Sequence, residues 1–188
     1  GLKRRDGCKS LSLETAGFFA MEEDFERALD ERDLLLILQE MRRRPQMVDV
    51  QQAASDAIFR AVQHNPSEAK KAVASGALQD LSKAIMGHTG HRDLCTEACT
   101  ATWRICREGG FAAAQTAIQQ GAFDALKAVL EAHPEGSAPN EAALLALGCL
   151  ADHGMVGFGS KDQVQEMQQK KVKGKATALV RILPEAGF

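Results

Sequence analysis

Four residues of the chain have both the types and the spacing for metal chemistry. His88, His91, Cys95 and Cys99 run as H-x2-H-x3-C-x3-C, and three of them share one helix face if a helix begins by His91. All four are zinc-ligand types. The structural reading competes: His88 recurs as His133 one repeat later, Cys95 falls near a core-facing side and Cys99 on a flank. A buried Cys there packs as a small hydrophobe, and the spacing fits no familiar zinc module. Gly154-x4-Gly159-Ser160-Lys161 has the glycines of a phosphate loop. Its order is Ser-Lys where Lys-Ser/Thr is needed, and a helix, not a strand, precedes it. Asp152-His153 has no activated nucleophile beside it, and a histidine near a helix C-terminus serves as a dipole partner. No general acid–base pair, Ser/His/Asp set or Cys/His dyad can be assembled. The expectation is therefore no metal, no cofactor and no enzyme activity.

The elements that would hold these residues are repeated. Ala-Val-Ala-Ser-Gly-Ala-Leu (72–78) recurs as Ala-Ile-Gln-Gln-Gly-Ala-Phe (117–123), 45 residues on. Leu78, Leu81 and Ile85 match Phe123, Leu126 and Leu130, and Ala98, Ala101 and Ile105 match Ala143, Ala146 and Leu150. Shifting back by 44 pairs Leu34, Ile37 and Met41 with Leu78, Leu81 and Ile85, and Ala54, Ala57 and Ala61 with Ala98, Ala101 and Ile105. A period of this length marks stacked supersecondary units, none able to bury its apolar face alone.

Three units follow, 22–65, 66–110 and 111–154, each with a short, a middle and a longer third helix. Asn65-Pro66 reads as an N-cap followed by proline in the first turn. Gly76 and Gly121 read as sharp turns that tolerate positive φ. Arg32 holds that place in the first unit. Glu31 and Asp33 are read at the start of a helix that ends in Arg42-Arg43-Arg44-Pro45. Residues 1–21 carry one capping helix over 9–20. Residues 155–188 are a glycine-rich insertion plus a partial fourth unit or C-terminal cap.

Val73-x-x-Gly76-Ala77-Leu78, Ile118-x-x-Gly121-Ala122-Phe123 and Glu141-Ala-Ala-Leu-Leu-Ala-Leu-Gly-Cys-Leu-Ala151 together resemble the armadillo repeat family. The resemblance covers roughly 22–154, and HEAT repeats are its nearest competitor. It implies an all-α, right-handed α-solenoid whose third helices line a concave face. The Asn ladder and Trp positions of importin-like members hold Arg60, Arg104, Cys149 and Asp56, Thr100, Leu145 here, so nuclear-signal binding is not implied.

On a helical wheel of the third helices, Leu94, Ala98, Ala101, Thr102 and Ile105 form the core stripe. The opposite side carries Thr96, Thr100, Trp103, Arg104 and Arg107. The neighbouring units place Gln52, Asp56, Phe59, Arg60 and Gln63, and Glu141, Leu145, Gly148, Cys149 and Asp152, in the same places. The expected partner-binding face is Phe59, Arg60, Thr100, Trp103, Arg104, Arg107, Leu145 and Cys149. Trp and Arg are the types that most often anchor interfaces, and Arg forks onto carboxylates. An acidic peptide is the expected ligand there. The alternative is that both aromatics simply pack between neighbouring third helices.

Composition fits this reading. The chain has 188 residues, 45% apolar and 26% charged, with no Tyr and a formal net charge of −2. Such a balance gives no global reason to expect nucleic acid, and no apolar run is long enough for a transmembrane span. Residues 22–33 hold seven acids and residues 161–175 five lysines; the latter run lacks the interleaved aromatics of a nucleic-acid surface. Five cysteines without secreted-domain spacing suggest reduced thiols. The expected place is intracellular, cytoplasmic first, or an organelle after loss of a targeting peptide. The functional expectation is a protein-interaction scaffold. Its alternatives are a structural subunit clamped through outer helices and ends, and an enzyme on a helical-repeat frame.

Overall fold

A computed structural model describes residues 25–154 of the chain. The helix expected over 9–20, the glycine-rich segment, the lysine run and the partial fourth unit lie outside the described residues. Among the described residues every regular element is a helix. They are α1 (25–31), α2 (Leu34–Arg43), α3 (Val48–Val62), α4 (Pro66–Ala74), α5 (Ala77–Gly87), α6 (Arg92–Gln119), α7 (Ala122–Ala132) and α8 (Ala138–Gly154).

Local chemistry sets most boundaries. Asp33 caps α2, its carboxylate accepting from the Leu35 and Leu36 amides at 3.1 and 3.3 Å. Asn65 caps α4 by accepting from the Glu68 amide at 3.1 Å, with Pro66 in the first turn. Each such bond satisfies an amide that the helix itself leaves without a partner. Glu31 lies in α1, not at the start of α2; the cap is Asp33 alone, because the chain turns at Arg32. Gly76 and Gly121 start α5 and α7 at φ +83° and +84°. Arg32 makes the matching turn at φ +56° without the freedom of a glycine. α6 is bent at Gly110 (φ 65°, ψ −152°), so its arms 92–109 and 111–119 run in different directions.

The helices form two rows. α2 packs on α5 and α5 on α7; α3 packs on α6 and α6 on α8. α4 lies against α3, α5 and α6. The core between them holds Ile37, Ile58, Leu78, Leu81, Ile85, Leu94, Ile105, Leu126 and Leu150, all essentially sealed from solvent. Ala54, Ala98 and Ala143 are also sealed, and small residues at these points let the α3–α6–α8 row approach closely.

Two polar devices join successive units of the chain. The Arg42 Nε donates to Asp80 Oδ2 at 2.8 Å and its Nη2 to the Ser75 carbonyl at 2.6 Å, tying α2 to the turn before α5. His88 Nε2 donates to the Pro45 carbonyl at 2.8 Å, and His133 Nε2 to the Thr89 carbonyl at 2.8 Å. A carbonyl only accepts, so both rings carry a proton on Nε2.

Candidate functional site

The side chains expected to bind a partner gather where α3 and α6 adjoin, but the arginines among them are already engaged. Arg104 spans two rings, its guanidinium 4.5 Å from the Trp103 centroid and 5.3 Å from that of Phe59. Its Nη1 donates to Glu108 at 3.4 Å, and only 12% of its side chain is exposed. Arg107 also lies over the Trp103 ring, 5.4 Å from its centroid. Both rings are half-buried against the core. The guanidinium thus gives its face to two rings and one nitrogen to a carboxylate, while its Nε is buried without a hydrogen-bond partner. Arg60 forms an ion pair with Asp56 one turn back, and that contact raises its pKa.

The remaining expected residues divide. Thr100 is half-buried and its hydroxyl donates to the Thr96 carbonyl at 2.7 Å. Leu145 is 49% exposed on α8. Cys149, four residues on, is only 7% exposed and belongs to the core. The wheel puts it at the margin of the outer face, and the margin is where α8 meets its neighbours.

Beside the aromatic rung lies an open groove of about 410 Å³ lined by Asp49, Gln52, Ala53, Asp56 and Arg60 of α3 and Glu97 of α6. Three carboxylates face one guanidinium already bound to Asp56. The Glu97 carboxyl is pushed up from its ordinary value, first by burial, then by Asp56 against the opposing pull of Arg60, with Asp93 adding to the rise. Carboxylates crowded in this way favour an incoming cation. Glu97 and Asp49 were not among the expected site residues. The signal was present: Glu97 is seven residues before Arg104 and Asp49 seven before Asp56, each pair about 20° apart on the wheel.

The four candidate metal ligands do other work. His88 holds the Pro45 carbonyl, and its ring meets that of His91 edge-on at 5.8 Å. The Cys95 thiol lies 3.5 Å from the His88 and Thr89 carbonyls, to which it donates. Among the described residues no three His, Cys, Asp or Glu side chains converge on a point that could hold a metal ion. The four described cysteines are buried and unpaired with one another. Burial pushes Cys95 and Cys149 up to about 11, and Cys99 and Cys106 higher still. A thiol reacts and ligates as thiolate, so these four are held in the inert form. No described helix is long and apolar enough to cross a membrane.

No family model matches the chain, and no significant match to it is found among curated proteins or solved structures.

Proposed function

We propose that the chain is a non-enzymatic protein-interaction scaffold of armadillo-like units, a right-handed α-solenoid that grips an extended partner segment along α3, α6 and α8. The groove between α3 and α6 carries the reading. It is open and lies on the side that the armadillo resemblance assigns to partners, with the Phe59–Arg104–Trp103 stack beside it. Its charge favours a Lys- or Arg-bearing segment over the acidic peptide suggested by the arginines alone. Asp49, Asp56 and Glu97 line it, while Arg60 and Arg104 already have carboxylate partners.

Fluorescence anisotropy with two labelled peptides of equal length, one rich in Lys and Arg and one in Asp and Glu, tests this. The basic peptide should bind more tightly and weaken as salt rises. Asp49→Asn combined with Glu97→Gln should weaken it roughly tenfold, about 1.4 kcal/mol for two partly exposed charge contacts. Preference for the acidic peptide would overturn the charge assignment.

A second reading, the structural subunit, is favoured by apolar side chains on the other row. Leu35 and Leu36 on α2 and Met86 on α5 are exposed. If neither peptide binds, this reading replaces the first.

A further inference from the structure

The two histidine bonds repeat along the chain, and each joins the segments that lead into neighbouring helices of the α3–α6–α8 row. Pro45 lies just before α3, and His88 just before α6. Thr89 also lies just before α6, and His133 before α8. Donor and acceptor are separated by 43 residues in one bond and 44 in the other. In each case a ring that is 8% exposed reaches back one period to a main-chain carbonyl. We infer that His88 and His133 are positioning residues that set the spacing of the α3–α6–α8 row at its N-terminal ends, and so the width of the face between those helices.

The surrounding bonds support this role. Thr89 is part of both joints: its carbonyl accepts from His133, and its own turn is fixed by the His88 ring on Pro45 and by the His91 amide on the His88 carbonyl at 2.9 Å. The Cys95 thiol, in the first turn of α6, donates to the His88 and Thr89 carbonyls at 3.5 Å. One turn therefore receives the strap from the following unit and sends one to the preceding unit. The first unit has no such ring. Arg44 stands 44 residues before His88, where it stacks on Phe25 at 5.1 Å and pairs with Glu40 at 2.7 Å. This device stands whether or not the groove takes a peptide.

Hydrogen exchange on His88→Gln and His88→Met tests the inference, since both substitutes have similar length but only glutamine can donate. The methionine variant should exchange about five- to tenfold faster over residues 44–52, a segment distant in sequence from the substitution, and the glutamine variant should recover most of that protection. His133→Met should do the same over residues 88–96. Equal behaviour of Gln and Met, or change confined to the substituted turn, would reduce the rings to space-filling and overturn the inference. Should the variants fail to fold, imidazole nitrogen shifts of the wild type decide: both rings must carry the proton on Nε2, and the opposite tautomer at either overturns it.

Discussion

Arg32 sits at φ +56° where the two later turns use glycine at +83° and +84°. A Cβ in the left-handed region costs about 1 kcal/mol, which Arg32 bears and the glycines avoid. Arg32 is exposed, so Arg32→Gly should gain up to about 1 kcal/mol, less the entropy that glycine adds to the unfolded chain. Gly121→Ala should lose about 1 kcal/mol from torsion alone, since a Cβ there meets nothing within 4 Å. Gly76→Ala should lose more, because its Cβ would sit 3.3 Å from the Arg42 Nη2. Urea midpoints at unchanged slope read all three; a destabilised Arg32→Gly would show that the arginine side chain matters more than its backbone. The charged side chains were partly legible at this scale. Asp56/Arg60 and Arg104/Glu108 stand four apart on helices, the spacing at which opposite charges meet, so the sequence itself held the sign that these arginines have local partners.

Helices and their caps follow from neighbours within a few residues, which is why Asn65-Pro66 and the Gly76 and Gly121 turns could be read in advance. Glu31 was misplaced for the same local reason: it is the Arg32 turn that divides α1 from α2. What joins one element to another was not legible. Arg42 and Asp80 are 38 residues apart, and nothing in their spacing marks them as partners. Yet Asp80 is 6% exposed, and Arg42 is its ion-pair partner at 2.7 Å. Arg42→Ala should cost about 1–3 kcal/mol by leaving a buried carboxylate and the Ser75 carbonyl without this donor. Half of the arginine side chain faces solvent, which keeps the figure toward the lower end. Combining Arg42→Ala with Asp80→Asn should restore part of the loss, because the amide does not leave a buried charge. A double-mutant cycle in urea measures that coupling; simple additivity would mean that the pair is ornamental to the α2–α5 contact.

Across the whole molecule the same burial that closes the core also governs its response to base. Cys95, Cys99 and Cys106 lie on α6 and Cys149 on α8, all in the core shared by the rows. From sequence their clustering was visible and the core-thiol reading was preferred to a zinc site, but which neighbours would enclose each thiol was not legible, because that packing comes from helices distant in the chain. Unfolded thiols titrate near 9.0, whereas folded Cys95 and Cys149 hold their protons to about 11 and the other two beyond that. The folded state therefore binds more protons than the unfolded one above pH 9. The sign follows: the thiol contribution is intact below pH 9 and is lost progressively as pH rises from 9 toward 11 and beyond. Each thiol can contribute a slope of up to about 1.4 kcal/mol per pH unit in that window. The chain has no Tyr, so no phenol titrates across the same range. Urea unfolding followed by circular dichroism, under reducing conditions at pH 8 and pH 10, should show stability falling by more than one thiol's share. Cys99→Ala should lessen the fall by about one thiol's slope while costing some stability at both pH values. Equal stability at pH 8 and pH 10 in the wild type would mean that these thiols ionise in place and that the α6–α8 core admits water.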